Sequence, residues 1–134
     1  MVKEALLQAA WKAQKNAYAP YSKYHVGACL LCHDGRKFYG ANIENASYGL
    51  TCCAERNALF AAYSNGVRKN DIAALAIVSD GATLPNPCGA CRQVMVELLA
   101  CHTPIYVSNG KIEREYDIAQ LMPMSFSSED LKHV

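Results

Sequence analysis

The strongest constraint on how this chain can fold is a pair of short cysteine motifs, Cys53-Ala54-Glu55 and Pro87-Cys88-Gly89-Ala90-Cys91. Each opens a stretch with helical periodicity, "CAERNALFAAYSNG" (53–66) and "CGACRQVMVELLA" (88–100). In the first, Ala58, Leu59 and Ala62 face inward and Gly66 is the terminator. Near a helix start, residues i and i+3 share a face, and the free N–H groups and partial positive charge favour thiolate over thiol. Cys88 and Cys91 therefore read as half of a zinc centre and Cys53 as the other half. A fold that satisfies both has to bring two helix starts together.

The remaining cysteines compete less well. Cys29 and Cys32 also form a Cys-x-x-Cys, but inside "HVGACLLC" (25–32), which reads as a strand. At about 3.3 Å of rise per residue, an offset of three places them on opposite faces some ~10 Å apart. They read as small core residues, and the redox alternative fails because that motif has to open a helix. Cys52 sits one residue ahead of Cys53, about 100° away around a helix, and reads as a packed neighbour. Cys101 could close a structural four-cysteine site. That alternative leaves a carboxylate two residues after Cys53 without a purpose. A three-thiolate site with an open fourth position holds a water, and Glu55 is placed to take its proton. Arg56 stands next in line to donate hydrogen bonds to the sulfurs and withdraw charge from an anionic ligand set.

Around these motifs the chain alternates helix and strand. "VKEALLQAAWKAQKNA" (2–17) carries an apolar helical face of Leu6, Leu7, Ala10 and Trp11, broken at Pro20. Strands at 25–32 and 37–43 flank the Asp34-Gly35 turn signal as a hairpin. "AALAIVSD" (73–80) is a continuous apolar run of the kind a sheet buried on both faces uses. "PIYVS" and "KIERE" read as further strands and "YDIAQLMP" as a short helix. Ser127 and Asp130 form a capping-box variant. This order predicts a layered α/β domain with a mixed sheet and parallel crossovers.

Length and charge narrow the function. With 134 residues, 51% of them hydrophobic, the chain fits one globular domain spanning 1–134. A net charge of +1 argues against a nucleic-acid partner and favours a small, nearly neutral substrate. No run of eighteen or more apolar residues and no leader pattern is visible, so the expectation is a cytoplasmic protein without a membrane partner. Seven cysteines in a reducing compartment point to metal rather than disulfides. The Asn45-Ala46-Ser47 sequon carries no weight without a secretory leader. His25, His33, His102 and His133 are scattered, with no ligand spacing to the cysteines.

Taken together, "AYAPYSKYHVGA", "GANIENASY", "CAERNALF", "PCGACRQ" and "LMPMSFSSEDL" resemble, in order and nearly end to end, the short all-cysteine cytidine deaminases. The resemblance implies a three-layer α/β/α domain with a mixed five-stranded sheet. It also implies zinc on Cys53, Cys88 and Cys91 and a proton shuttle at Glu55. The Ala54 N–H would hold the pyrimidine O2, and Asn42 and Glu44 the ribose 3′-hydroxyl, with Glu44 repelling a 5′-phosphate. It further implies Tyr24 against the pyrimidine, with Tyr48 and Phe126 reaching a neighbouring subunit's site in a homotetramer. The chain departs from the family pattern at Tyr24, where phenylalanine is usual, at Asn86, where serine is, and at Met124 and Ser125. The rivals to cytidine deamination are deamination of another amine and a zinc-stabilised binding module without catalysis.

Overall fold

The computed structural model describes residues 2–132, so His133 lies outside the described residues. Helix α1 (Val2–Gln14) is followed by the hairpin strands β1 (Val26–Cys32) and β2 (Lys37–Ala41). Then come α2 (Ala54–Ser64), β3 (Ile72–Ser79), α3 (Gly89–Leu98), β4 (Ile105–Ser108), β5 (Glu113–Tyr116), α4 (Ile118–Leu121) and α5 (Ser128–Leu131). The sheet runs β2-β1-β3-β4-β5. Within this sheet β3 and β4 are the parallel pair, running from Leu75↔Ile105 to Val78↔Ser108 with α3 as their crossover. The other neighbours are antiparallel, so the sheet is mixed, as the helix–strand order predicts.

Both faces of the sheet are covered. On one, Leu6, Leu7 and Ala10 of α1 pack on Cys29, Ala76 and Val78. On the other, Ala58 and Leu59 of α2 and Met95 of α3 cover Leu30, Leu75, Ile77 and Ile105. The three layers are helix, sheet, helices. Cys29 and Cys32 fall in opposite clusters, as strand alternation requires. Burial pushes the Cys29 thiol up to about 11, which keeps it inert.

Two glycines on adjoining strands let helices lie directly on the sheet. A Cβ at Gly27 would sit 2.2 Å from the Ala10 carbonyl oxygen, and one at Gly40 would sit 2.2 Å from that of Ala54. The second contact is the one that sets the site, because it seats the first turn of α2 against β2.

Some boundaries differ from the sequence reading. α1 stops at Gln14 rather than 17 because the Tyr18 backbone is taken up elsewhere. Its N–H donates to the Asn42 carbonyl (2.9 Å) and its carbonyl accepts from Glu44 (2.9 Å). Cys52 is not on a helix. It forms a two-way bridge with Ile43, both N···O distances being 3.0 Å, so α2 begins only after Cys53 and the helical offset between the two cysteines does not apply. β5 lies at 113–116, two residues later than "KIERE", because the Asn109 side chain accepts from the backbone of Lys111 and Ile112 in the preceding turn. The reciprocal capping box at Ser127 and Asp130 is present.

Candidate metal centre and active site

Cys53 and Cys88 are the N-cap residues of α2 and α3, both in extended backbone. Neither side chain caps its own helix, which leaves the sulfurs free to point outward. Cys91 lies three residues on, buried, in the first turn of α3. The Cys53 and Cys88 sulfurs are 3.8 Å apart and those of Cys88 and Cys91 3.6 Å, all three lying within 4.8 Å of one another. Three sulfurs at about 2.3 Å from a tetrahedral zinc are separated by about 3.8 Å, so the donor set and its spacing fit that ion. Among the described residues this is the only cluster of metal-ligating side chains. Cys101, the candidate fourth ligand, lies apart from it, exposed and lining a groove with Leu99 and Ile118. His102 stands with Asp117, its Nδ1 3.5 Å from Oδ2.

The charge state follows from these neighbours. The Cys53 thiol is pulled down to about 5, chiefly by hydrogen bonding from Cys91 and then from Arg56 and Cys88, against the opposing effect of burial. Cys91, which shares the proton with Cys53 and is itself buried, is pushed up. Of the two, Cys53 is the thiol that ionises more readily and Cys91 the one that gives up its proton less readily. Arg56 Nη2 donates to Cys53 Sγ at 3.5 Å, and its Nε is buried without a partner among the described residues. Glu55 is 4% exposed, and burial pushes its carboxyl up to about 7.

Beside the sulfurs opens a pocket of about 240 Å³. Its lining unites Cys53, Ala54, Glu55 and Cys88 with Tyr24, Asn42, Glu44 and Asn86. The pocket therefore gathers most of the residues singled out from the sequence. Asn42 is buried, its Oδ1 accepting from the Val26 N–H (2.9 Å) and its Nδ2 donating to the Tyr24 carbonyl (2.7 Å). The Glu44 carboxylate is held by the Tyr21–Ser22 loop. Tyr48 and Phe126 are not in the lining; they are 78% and 61% exposed, Tyr48 lying edge-to-face on Tyr21. Sequence reading missed Ser22, Thr51 and Pro85, which together with Val26 complete the wall. Only their closeness to "YSKY", "TCC" and "PNPC" hinted at them.

The sequence family described as the cytidine and deoxycytidylate deaminase zinc-binding region matches residues 1–107. A cytidine deaminase of Halalkalibacterium halodurans is 50% identical over 133 residues, covering 98% of both chains. One of Sporosarcina psychrophila is 48% identical over 132 residues, 97% of this chain and 95% of the relative. Among solved structures, a cytidine deaminase from Burkholderia pseudomallei superimposes with a TM-score of 0.90 at 46% identity, over 94% of this chain and 100% of that one.

Proposed function

The chain belongs to the cytidine and deoxycytidylate deaminase family, and from that premise we propose that it converts cytidine and deoxycytidine by hydrolysis to uridine and deoxyuridine, with release of ammonia. The observation that carries this reading is a single pocket in which converging thiols, a buried carboxyl and a polar rim meet. Cys53, Cys88 and Cys91 would hold zinc, which supplies Lewis acidity and makes water a nucleophile near neutral pH. Glu55 carries the proton. A carboxyl pushed up to about 7 can both take a proton from the attacking water and give it up again. It passes that proton to ring N3 as oxygen attacks C4, then takes the remaining proton of the new C4 hydroxyl and delivers it to the amine, which leaves as ammonia while the C4 carbonyl forms. The pocket gains rate by holding tetrahedral C4 more tightly than the planar substrate.

The other residues position and tune. The guanidinium of Arg56 draws charge from the thiolates through Cys53. The Ala54 N–H, in the first turn of α2 where no intrahelical acceptor is available, receives the pyrimidine O2. Tyr24 walls the ring, its position set by Gly81, where a Cβ would lie 2.9 Å from the tyrosine Cε1. Asn42 and Glu44 take the ribose 3′-hydroxyl, and the Glu44 charge disfavours a 5′-phosphate. We assign Tyr48 and Phe126 to the pockets of neighbouring subunits in a homotetramer; their exposure on the single chain supports that role. Residues 1–134 then act as one domain on a free nucleoside, in cytoplasmic pyrimidine salvage, without nucleic-acid or membrane partners. No helix among the described residues is long and apolar enough to cross a membrane.

A hydrated-pyrimidine ribonucleoside, which resembles the tetrahedral intermediate, tests the reading. It should compete with cytidine and bind at least about 10²-fold more tightly. Failure to inhibit would contradict catalysis and favour a zinc-stabilised binding module.

A further inference from the structure

The Glu44 carboxylate is gripped from one side only. Its Oε1 accepts from the backbone N–H of Tyr21 (2.9 Å) and of Ser22 (3.1 Å), and its Oε2 accepts from the Ser22 hydroxyl. The Ser22 hydroxyl oxygen in turn accepts from the Tyr24 N–H at 3.0 Å. Between them, Lys23 adopts φ 60°, a left-handed conformation that non-glycine residues rarely take unless their neighbours enforce it. Asn42 closes the circuit by donating to the Tyr24 carbonyl. The base wall and both sugar-facing side chains thus form one hydrogen-bonded unit with Ser22 at its junction. Ser22 also has the largest part in holding the Glu44 carboxyl below the usual carboxylate range.

We propose that Ser22 is a positioning and specificity residue, aiming the free acceptor face of the Glu44 carboxylate at the sugar. A hydroxyl has one hydrogen, and here Glu44 Oε2 takes it. Ser22 has no donor left for the ligand, and the ionised carboxylate only accepts, so the remaining lone-pair capacity of Oε2 calls for a donor on the ligand. A sugar hydroxyl satisfies it, whereas a hydrogen, a halogen or a phosphate oxygen at that position does not. Ser22 touches no reacting atom, so its influence passes through Glu44 and Tyr24.

This inference rests on the sugar-binding reading of Glu44, and the experiment separates the two. Cytidine and 3′-deoxycytidine are compared by kcat and KM in the wild type, Ser22→Ala, Ser22→Thr and Glu44→Ala, all zinc-loaded. Weakening of the base wall through Tyr24 acts on both nucleosides alike and cancels from their ratio. The wild type should favour cytidine through KM. Glu44→Ala should lose that preference. Ser22→Ala should raise KM for cytidine about tenfold and lose most of the preference, with kcat little changed, since one hydrogen bond to a charged group is removed. Ser22→Thr, which keeps the hydroxyl, should restore it. An intact preference in Ser22→Ala alongside its loss in Glu44→Ala would overturn the Ser22 assignment alone. An intact preference in Glu44→Ala would overturn the sugar reading and the inference with it.

Discussion

Gly40→Ala should damage the metal centre from the far side of a helix. The new Cβ would lie 2.2 Å from the Ala54 carbonyl oxygen and 2.5 Å from the Ala58 nitrogen. Ordinary contact begins at 3.4 Å, a shortfall of 1.2 Å against backbone atoms that cannot rotate aside. The first turn of α2 has to move by about that much, carrying the Cys53 sulfur away from Cys88 and Glu55 out of register with both. Overpacking of this kind costs about 1–3 kcal/mol, a fall in Tm of roughly 4–12 °C for a domain of this size. A displacement of about 1 Å at reacting groups costs about 10²-fold in kcat. Gly27→Ala is the matched control. Its Cβ meets the Ala10 carbonyl oxygen at the same 2.2 Å, but on the face covered by α1. Scanning calorimetry, zinc content and initial rates on both variants should show comparable losses of Tm, with zinc and kcat depressed only in Gly40→Ala. Wild-type Tm and kcat in Gly40→Ala would refute the seating of α2 on β2. Equal catalytic loss in both variants would show the effect to be general destabilisation.

Arg56→Gln should retain zinc while losing most activity, because the guanidinium that donates to Cys53 is removed and the ligands stay; wild-type turnover in that variant would contradict its role. Cys52→Ala and Cys101→Ser should bind zinc with unchanged stoichiometry, since both lie outside the thiol cluster, and a halved zinc content in either would contradict the three-ligand assignment. Zinc uptake by the metal-free protein at pH 7 should release protons. Cys91 is pushed up and holds its proton there, and coordination requires thiolate, so affinity must fall as pH falls. Titration calorimetry in buffers of different ionisation enthalpy reads this directly, and heats independent of buffer would count against it.

The thiol cluster was legible because its cue is local. A Cys-x-x-Cys at a helix start converges whatever the rest of the chain does, and Cys29 and Cys32 in a strand diverge for the same local reason. The mixed sheet followed from the order of helices and strands. What depended on pairing partners was not legible. Cys52 left the helix because Ile43 takes both of its backbone groups, and α1 ended early because Tyr18 is bridged to 42–44. Ser22 was hidden because its significance lies in Glu44, across a loop and a hairpin. Tyr48 and Phe126 stay exposed on the single chain, and no pattern within it says what meets them.

The most direct measurement is conversion of cytidine to uridine by the zinc-loaded wild type beside Glu55→Ala, with zinc quantified in both. The expected result is turnover by the wild type and a loss of about 10³-fold or more in the variant at equal zinc content. Zinc bound in both with no uridine formed by the wild type would contradict cytidine as substrate. Near-normal turnover by Glu55→Ala would contradict the buried carboxyl as the proton carrier.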